Sequence, residues 1–381
     1  MPNDTLTVAT HRSIADICKE VWDNLAGLTG QPYYPFTAFD FLDALEKSGS
    51  VRPETGWGPQ HLVLSDGDNP IGALPLYLKG HSQGEYIFDH AWAEAYQRAG
   101  GRYYPKLLAA IPFTPATGPR LLCRPETQAT LAAAAAQVSD EMGVSSLHLN
   151  FPDKGQVAAL EVAGYLIRKG QQFHFTDEGF GDWGGFLAAL SSRKRKDLRK
   201  ERAAIAQSDL DIEWITGRDI TEDHLDHFWT FYQDTGARKW GTPYLTRTFF
   251  SMVTERMADR MLFVFAKRGD RPIAGALNFI GGDTLFGRYW GCTEHVPFLH
   301  FELCYYQAID YALAHGLTHV DAGAQGEHKI ARGYRPSTIY SAHVIRDEGF
   351  RQAVAQYLEA EATEVDAEIN YLGEFTPFRR G

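Results

Sequence analysis

Five charged side chains suited to proton transfer and anion binding lie close together between residues 327 and 335. They are Glu327, His328, Lys329, Arg332 and Arg335. A carboxylate and an imidazole can transfer protons, and cations can stabilise an oxyanion or bind phosphate. Charge clusters are also typical of a solvated helix surface, so the spacing alone leaves both interpretations open.

The residues around this cluster predict how it is positioned. Residues 318–321 alternate polar and apolar side chains and predict a strand. Gly323 and Gly326 then allow a sharp turn, and residues 327–334 have a helical composition that ends at Gly333. The carboxyl end of a strand is a common position for ligand contacts in α/β folds. We therefore expect the charged cluster to lie beside a ligand site.

The composition is that of an ordinary globular protein with more than one domain. The chain has 381 residues, of which 44% are apolar and 22% are charged. No apolar run approaches the roughly 20 residues of a membrane span, and the first residues do not resemble a signal peptide. The four cysteines form no C-x-x-C pair, which is typical of a reducing compartment, and we expect a cytoplasmic protein. The net charge of −11 argues against a DNA partner.

The two halves of the sequence repeat one order of predicted elements. Each half has a hairpin of two strands, then a helix, then a strand introduced by glycine. In the first half these are strands 61–64 and 70–78, helix 129–142 and strand 146–150. In the second half they are strands 261–266 and 272–280, helix 301–315 and strand 318–321. The second half adds a third strand at 284–290. We predict two copies of one α/β unit, with domains at 1–178 and 179–381, although short hairpins can also resemble each other by chance.

Residues 84–119 are rich in Tyr, Phe, Trp, Gly and Pro, and they are predicted to be an ordered insertion in the first domain. Such a segment either binds a ligand with its aromatic side chains or covers one edge of a sheet.

A basic helix is predicted at residues 191–207. Between Arg193 and Arg202 it carries seven cations and two acids, with helix-forming residues and no Gly or Pro. A solvated helix with internal ion pairs is one interpretation. In an acidic chain, the same segment is also a candidate for phosphate binding.

Three long segments together resemble the bacterial FemAB-like family of predicted N-acyltransferases. They read GEYIFDHAWAEAYQRAGGRYYPKLLAAIPFTPATGPRLL, SSRKRKDLRKERA and GAQGEHKIARGYRPSTIYSAH. The element order of each half is similar to the GNAT acyltransferase fold, and the tandem arrangement resembles the Fem-type aminoacyl transferases. The resemblance covers most of residues 30–375. It implies an α/β fold with mixed sheets and two tandem GNAT-like domains.

The resemblance implies that an amine attacks an acyl ester or thioester directly. No enzyme nucleophile is needed, so Cys292 and Cys304 are interpreted as structural thiols. GNAT proteins that use acetyl-CoA usually have a glycine-rich loop before the main helix, and residues 291–303 lack it. Aminoacyl-tRNA is therefore favoured as the co-substrate, with acyl-CoA as the alternative. We expect no tightly bound cofactor and, because no ligand spacing is visible, no metal.

The resemblance also implies roles for particular residues. Lys329 is expected to contact the oxyanion or a phosphate, and His328 or Glu327 to take the amine proton. Tyr289 lies on the third strand, beside which GNAT proteins place the acyl carbonyl of the substrate. Side chains alternate along a strand, so only one of Tyr289 and its neighbour Arg288 is expected to face the cleft. The expected donor-binding residues are Arg332, Arg335, Arg288, Arg193, Arg195 and Arg199. A small-molecule or peptide amine is the expected acceptor, with candidate contacts at Asp89, Tyr103, Tyr104 and Lys106.

A rival interpretation is a non-catalytic GNAT-fold protein that binds a peptide or amino-sugar ligand in the aromatic insertion, because a fold does not determine a function.

Overall fold

The structure is a computed structural model that describes residues 6–28, 33–239, 243–323 and 326–379. The chain forms two compact units. Unit 1 contains residues 1–171 and 338–367, and unit 2 contains residues 172–337 and 368–381. The predicted boundary at 178/179 therefore differs from the observed division, because residues 338–367 belong with the N-terminal half. The physical reason is strand pairing, since residues 341–345 pair with residues 146–150.

The strands are β1 (Leu6–His11), β2 (Trp57–Pro59), β3 (His61–Asp66), β4 (Asn69–Leu74), β5 (Leu76–Lys79), β6 (Lys106–Ala109), β7 (Leu122–Cys123), β8 (Ser146–Asn150), β9 (Leu166–Thr176), β10 (Asp211–Thr216), β11 (Met261–Arg268), β12 (Arg271–Ile280), β13 (Thr284–Cys292), β14 (His319–Asp321) and β15 (Arg335–Ile345).

The α-helices are α1 (Lys19–Leu25), α2 (Phe39–Lys47), α3 (His90–Arg98), α4 (Gln128–Glu141), α5 (Lys154–Val162), α6 (Trp183–Ala189), α7 (Ser192–Ala206), α8 (Glu222–Lys239), α9 (Arg247–Met257), α10 (Leu299–Phe301), α11 (Gln307–Ala314) and α12 (Glu348–Gly373). A π-helical turn, Glu302–Tyr306, joins α10 to α11. Short 3₁₀ helices are Ile14–Asp16, Pro35–Thr37, Pro53–Thr55, Pro125–Thr127, Gly217–Asp219, Ala258–Arg260 and Glu327–Arg332. None of the helices in the described ranges is both long and apolar enough to cross a membrane.

Unit 1 contains a sheet of order β1-β3-β4-β7 and a second set of strands in the order β15-β8-β6-β5-β2. Strands β5 and β6 are antiparallel, whereas β6 and β8 are parallel. A parallel pair needs a crossover, and α4 lies in this connection. The core on this helix includes Leu131, Ala135, Leu147 and Leu149, all at most 1% exposed.

Unit 2 contains the strand order β10-β11-β12-β13-β14-β9. Strands β12 and β13 are antiparallel, β13 and β14 are parallel, and the helical segment 299–314 connects the parallel pair. Unit 2 thus repeats the element order of unit 1, as the sequence predicted. Its core includes Phe175, Phe186, Tyr306 and Tyr334, all fully buried.

The aromatic segment 84–119 differs from the predicted insertion. Its residues Lys106–Ala109 form β6, which lies between β5 and β8 and is fully buried. Only the part of the segment that precedes β6, which contains α3, has no equivalent in the element order of unit 2. The strand escapes sequence analysis because it is four residues long and follows Pro105.

Candidate active site

The part of β13 that extends past its pairing with β14 in unit 2 defines the candidate active site. Strand β13 pairs with β14 only over Thr284–Phe286, opposite His319–Asp321. Beyond this point β13 continues to Cys292, still paired with β12 on its other side. Among the described residues, no strand covers the β14-side edge of residues 287–292. Because backbone groups alternate along a strand, part of the N–H and C=O groups of residues 287–292 point away from β12.

A β-bulge shapes the same stretch of β13. Leu277 lies opposite Tyr289 while Asn278 lies opposite Gly287, so Arg288 is an extra residue in β13. A bulge interrupts the alternation of side chains. Arg288 and Tyr289 therefore both line one cavity, which corrects the prediction that strand alternation admits only one of them.

Two cavities lie along this edge. The smaller has a volume of about 110 Å³ and is lined by Asn278, Arg288, Tyr289 and Tyr305 among others. The larger has a volume of about 360 Å³ and is lined mainly by apolar and aromatic side chains beside the start of α10, namely Cys292, Val296, Pro297, Phe298, Leu299 and Phe301, together with Thr235, Glu294 and His295. Both cavities are lined by Trp290 and His300, so the two spaces adjoin.

His328 is hydrogen-bonded to a wall of the smaller cavity. Its Nε2 atom lies 2.9 Å from the hydroxyl of Tyr305. Burial raises the pKa of Tyr305, so the phenol stays protonated, and the tautomer of His328 decides which of the two groups donates this bond. The imidazole is exposed and its ring also packs on Phe301. His328 can accept a proton from the solvent side, and Tyr305 can donate a proton inside the cavity.

Lys329 does not line either cavity. Its side chain is 1% exposed, and its Nζ donates to the Gly323 carbonyl at 2.8 Å. Burial lowers the Lys329 pKa to about 8, against the opposing attraction of Asp321. Asp321 in turn accepts from the Gly323 N–H at 2.8 Å. Lys329 thus holds the turn that follows β14; Ala324 and Gln325 of that turn lie outside the described residues.

Arg332 is also engaged inside unit 2. One guanidinium nitrogen donates to both carboxylate oxygens of Glu201, at 2.8 and 2.9 Å, and its guanidinium carbon lies 3.4 Å from the ring centre of Phe301. The Tyr306 hydroxyl donates to the same carboxylate. The Arg332 charge is thereby paired within the protein.

Two more of the five charged residues lie at the surface. Arg335 forms an ion pair with Glu178 at 2.7 Å, and Glu327 is exposed. The 3₁₀ helix therefore turns Lys329 and Arg332 inward and leaves Glu327 and His328 outside. Arg288 and Tyr289 line the smaller cavity, and His328 reaches its wall through Tyr305. The other four members of the cluster line neither cavity.

Helix α7 presents a face of exposed cations. Its inner face packs Leu198 and Ile205, and its Arg202 pairs with Glu302 at 3.0 Å and Asp310 at 2.8 Å. The outer face exposes Arg193, Lys196, Arg199 and Lys200. Within the described part of the chain no carboxylate forms an ion pair with these cations or with the half-buried Arg195. The predicted helix 191–207 agrees with the observed α7 to one residue at each end.

The sequence profile of the FemAB-like family, described as peptidoglycan biosynthesis/recognition, matches residues 13–380. The chain belongs to this family. Membership confirms the predicted family and, with it, the predicted enzyme class, an acyltransferase. No curated protein gives a significant match to the sequence.

Solved structures of low sequence identity share the fold of this FemAB-like protein. FemX matches with a TM-score of 0.56 and 12% identity, covering 89% of this chain and 98% of its own. The C-terminal domain of a putative lysylphosphatidylglycerol synthetase from Agrobacterium fabrum gives 0.53 and 10%, covering 92% and 97%. L-PGS from Bacillus licheniformis gives 0.51 and 10%, covering 84% and 96%. These likenesses confirm the predicted α/β fold of the Fem type.

Unit 1 of the FemAB-like chain has no counterpart of the open edge in its described residues. Strand β6 pairs with β8. The following segment 110–121 is buried except for the half-buried Thr117 and Pro119, and it continues the parallel contact through Gly118 and Pro152. Arg120 is fully buried there and donates to the carbonyls of Asn150 and Ala116, at 2.9 and 2.7 Å. The space that is open in unit 2 is filled in unit 1.

The four acceptor-binding candidates lie in unit 1. Asp89, Tyr103 and Lys106 are at most 3% exposed. The Tyr103 hydroxyl donates to Asp89 at 2.7 Å, and Lys106 donates to Asp89 and, at 2.8 Å, to Glu85. Tyr104 is half-buried and lines a cavity. Burial and internal pairing thus leave Tyr104 as the member of this group that a ligand can reach.

Sequence reasoning missed Tyr305 and Trp290 as site residues. Tyr305 lies in the π-helical turn, and π-turns inside helices are frequent at functional sites, but no sequence signal indicates one. Trp290 ends the GRYW run of β13, and an aromatic residue next to the predicted acyl-binding positions was the available clue.

Proposed function

We propose that this FemAB-like protein transfers an aminoacyl group from aminoacyl-tRNA to an amine, with the chemistry in unit 2. The observation that carries the proposal is that β13 extends past its pairing with β14 and runs beside two adjoining cavities. In the reaction, the amine attacks the ester carbonyl, a C–N bond forms, the C–O bond to the ribose breaks, and the amine proton is transferred to the leaving oxygen.

The edge of β13 suits the reacting carbonyl. Pairing with β12 fixes the backbone of residues 287–292, and the N–H groups there that point away from β12 are fixed donors beside the cavities. Fixed donors of this kind stabilise the negative charge that develops on a carbonyl oxygen during attack. The cavity of about 110 Å³ next to them is sized for a small acyl or aminoacyl group.

The His328–Tyr305 pair suits the proton transfer. Tyr305 lines the small cavity and remains protonated because burial raises its pKa. It can donate a proton to the leaving oxygen and recover one from His328, whose Nε2 lies 2.9 Å away. In this role His328 and Tyr305 act as one acid/base unit.

The larger cavity favours a nucleoside next to the acyl group. Trp290, Phe298 and Phe301 give it aromatic walls, on which a base can stack. In aminoacyl-tRNA the ester is on the terminal ribose itself, so the adenine lies close to the carbonyl. In acyl-CoA a thin pantetheine arm separates the thioester from the adenine. The exposed cations of α7 then suit the phosphates of the acceptor stem.

The acceptor is proposed to be a small-molecule or peptide amine. The family description, peptidoglycan biosynthesis/recognition, supports an amine on a peptidoglycan precursor, and likeness to FemX supports the same class of reaction. An aminoacyl-tRNA donor would place the reaction in the cytoplasm.

The test is a donor competition followed by mass spectrometry. The protein is incubated with a mixture of aminoacyl-tRNAs, or with a series of acyl-CoAs, together with amino-sugar and peptide amines. We expect amide products from aminoacyl-tRNA only. We also expect Trp290→Ala to raise the KM for aminoacyl-tRNA about tenfold, because the variant loses one base-stacking contact. Trp214→Ala on β10, outside both cavities, is the matched control. Turnover of acyl-CoA alone would overturn the donor, and ligand binding without any turnover would favour the non-catalytic binding protein.

A further inference from the structure

A second, chemically different cavity lies in unit 1. Its volume is about 520 Å³, and its wall combines aromatic and cationic side chains, including Tyr96, Tyr104, Arg102 and Arg346. It opens where α4 ends and β8 begins, at Gly143 and Ser145. In unit 2 the cavities instead lie where the connecting helix begins, so the unit 1 cavity is not the repeated copy of the proposed donor site.

The charges at this cavity favour an anion. Arg102 and Arg346 are exposed at its rim, and neither forms an ion pair with a carboxylate in the described ranges. One acidic residue lines the cavity, Asp347, and its carboxylate accepts the Phe350 N–H at 2.7 Å at the start of α12. Two guanidinium groups therefore face a single carboxylate that is already hydrogen-bonded.

The wall also contains the hydroxyl group of Tyr104, which is held in place by buried residues. The Tyr104 hydroxyl lies 2.7 Å from Ser82 Oγ, which accepts from Lys106 Nζ at 2.9 Å. Lys106 is fully buried and is fixed by its bonds to Glu85 and Asp89. Such anchoring positions the phenol at the cavity before any ligand arrives, which reduces the entropic cost of binding.

One face of the cavity is suited to an uncharged part of a ligand. The ring of Tyr96 is stacked on Phe350, with centres 4.7 Å apart, and Pro105, Met142 and Val144 continue the apolar wall. Aromatic and apolar walls with a few fixed polar groups are typical of sites for small organic molecules.

We propose that this cavity is a separate binding site for a small organic anion, whose carboxylate or phosphate lies between Arg102 and Arg346 and hydrogen-bonds to Tyr104. A planar guanidinium matches either group with two parallel hydrogen bonds. The site is independent of the proposed chemistry in unit 2, because all its residues belong to unit 1.

The experiment measures binding of two probes to the full chain by titration calorimetry. Inorganic phosphate tests a phosphate ligand, and N-acetylglycine tests a peptide-like carboxylate. We expect one or both to bind saturably. The Arg102→Gln/Arg346→Gln pair should weaken binding at least tenfold, and Tyr104→Phe should weaken it several-fold. Arg124→Gln, an exposed arginine of unit 1 outside the cavity, is the matched control and should change nothing.

The probe whose binding is weakened more by the double variant identifies the anionic group of the ligand, phosphate or carboxylate. Arg346→Lys retains the charge without the planar fork, so it should bind more weakly than the parent even if the double variant fails to fold. The proposal is overturned if neither probe binds saturably, or if binding is equal in the parent, the double variant and Arg346→Lys.

Discussion

The Nε2 atom of His328 lies 2.9 Å from the hydroxyl of Tyr305, and this bond joins residues 23 positions apart in the chain. It connects the exposed imidazole at the start of the 3₁₀ helix Glu327–Arg332 to the wall of the cavity beside β13. The pair is therefore the route by which a proton can pass between solvent and the proposed reaction space.

Removing either member of this pair should reduce turnover similarly. We expect His328→Gln and Tyr305→Phe each to lower kcat about a hundredfold, within the usual range of general acid/base catalysis. Because the two groups act together, the double variant should be hardly slower than either single variant. His319→Gln on β14, whose Nδ1 contacts Thr176 instead, is the control. Multiplied effects in the double variant would show that the two side chains act independently.

The outer face of α7 should determine the salt dependence of tRNA binding. Replacing Arg193, Lys196, Arg199 and Lys200 by Ser removes exposed cations that have no described acidic partner. We expect weaker binding and a shallower plot of log affinity against log salt, by about 0.7 to 0.9 for each phosphate that the variant no longer neutralises. Arg218→Ser, exposed elsewhere in unit 2, should leave the slope unchanged. A parental slope retained by the fourfold variant would remove α7 from the donor site.

The Glu201–Arg332 ion pair should contribute strongly to stability. Its side chains are 17% and 8% exposed, so Glu201→Gln leaves a nearly buried guanidinium without its counter-charge. We expect a loss of about 3 kcal/mol in the free energy of unfolding, measured by urea denaturation. Glu213→Gln breaks a more exposed pair with Lys267 and should cost less than about 1 kcal/mol. If Glu201→Gln and Glu213→Gln lowered the free energy of unfolding equally, burial of Arg332 would not explain the contribution of its ion pair.

Lys329 should give stability a specific pH dependence. Burial lowers its pKa in the folded protein to about 8, below the ordinary value of 10.5. Between these values the unfolded chain binds more protons, so the free energy of unfolding rises with pH. We expect this rise to be roughly 2 kcal/mol larger in the parent than in Lys329→Met between about pH 7 and about pH 9.5. If the free energy of unfolding changed with pH equally in the parent and in Lys329→Met, Lys329 would not be a buried group with a lowered pKa.

Local patterns predicted most of the secondary structure but not the long-range contacts. The composition of α7 and the periodicity of β11 and β12 were sufficient to place these elements within a few residues. The 327–334 segment was expected to be an α-helix and is a 3₁₀ helix over Glu327–Arg332. Residues three apart align in a 3₁₀ helix, which is why Lys329 and Arg332 are both buried.

The candidate site could be predicted only in part, for the same reason. His328 was recognised from its neighbours in sequence, whereas its partner Tyr305 is brought to it by tertiary packing. The bulge at Arg288 depends on the register between β12 and β13, which one strand alone does not encode.

The assignment of residues 338–367 to unit 1 has a consequence for the order in which the protein is made. Strand β8 pairs with β15, which leaves the ribosome only after all of unit 2 up to residue 337 has been synthesised. Until then the edge of β8 is uncovered, and an uncovered edge can pair with other chains. The first half of the protein is thus completed only by the last part of the chain, and a fragment ending at residue 171 would retain that exposed edge permanently.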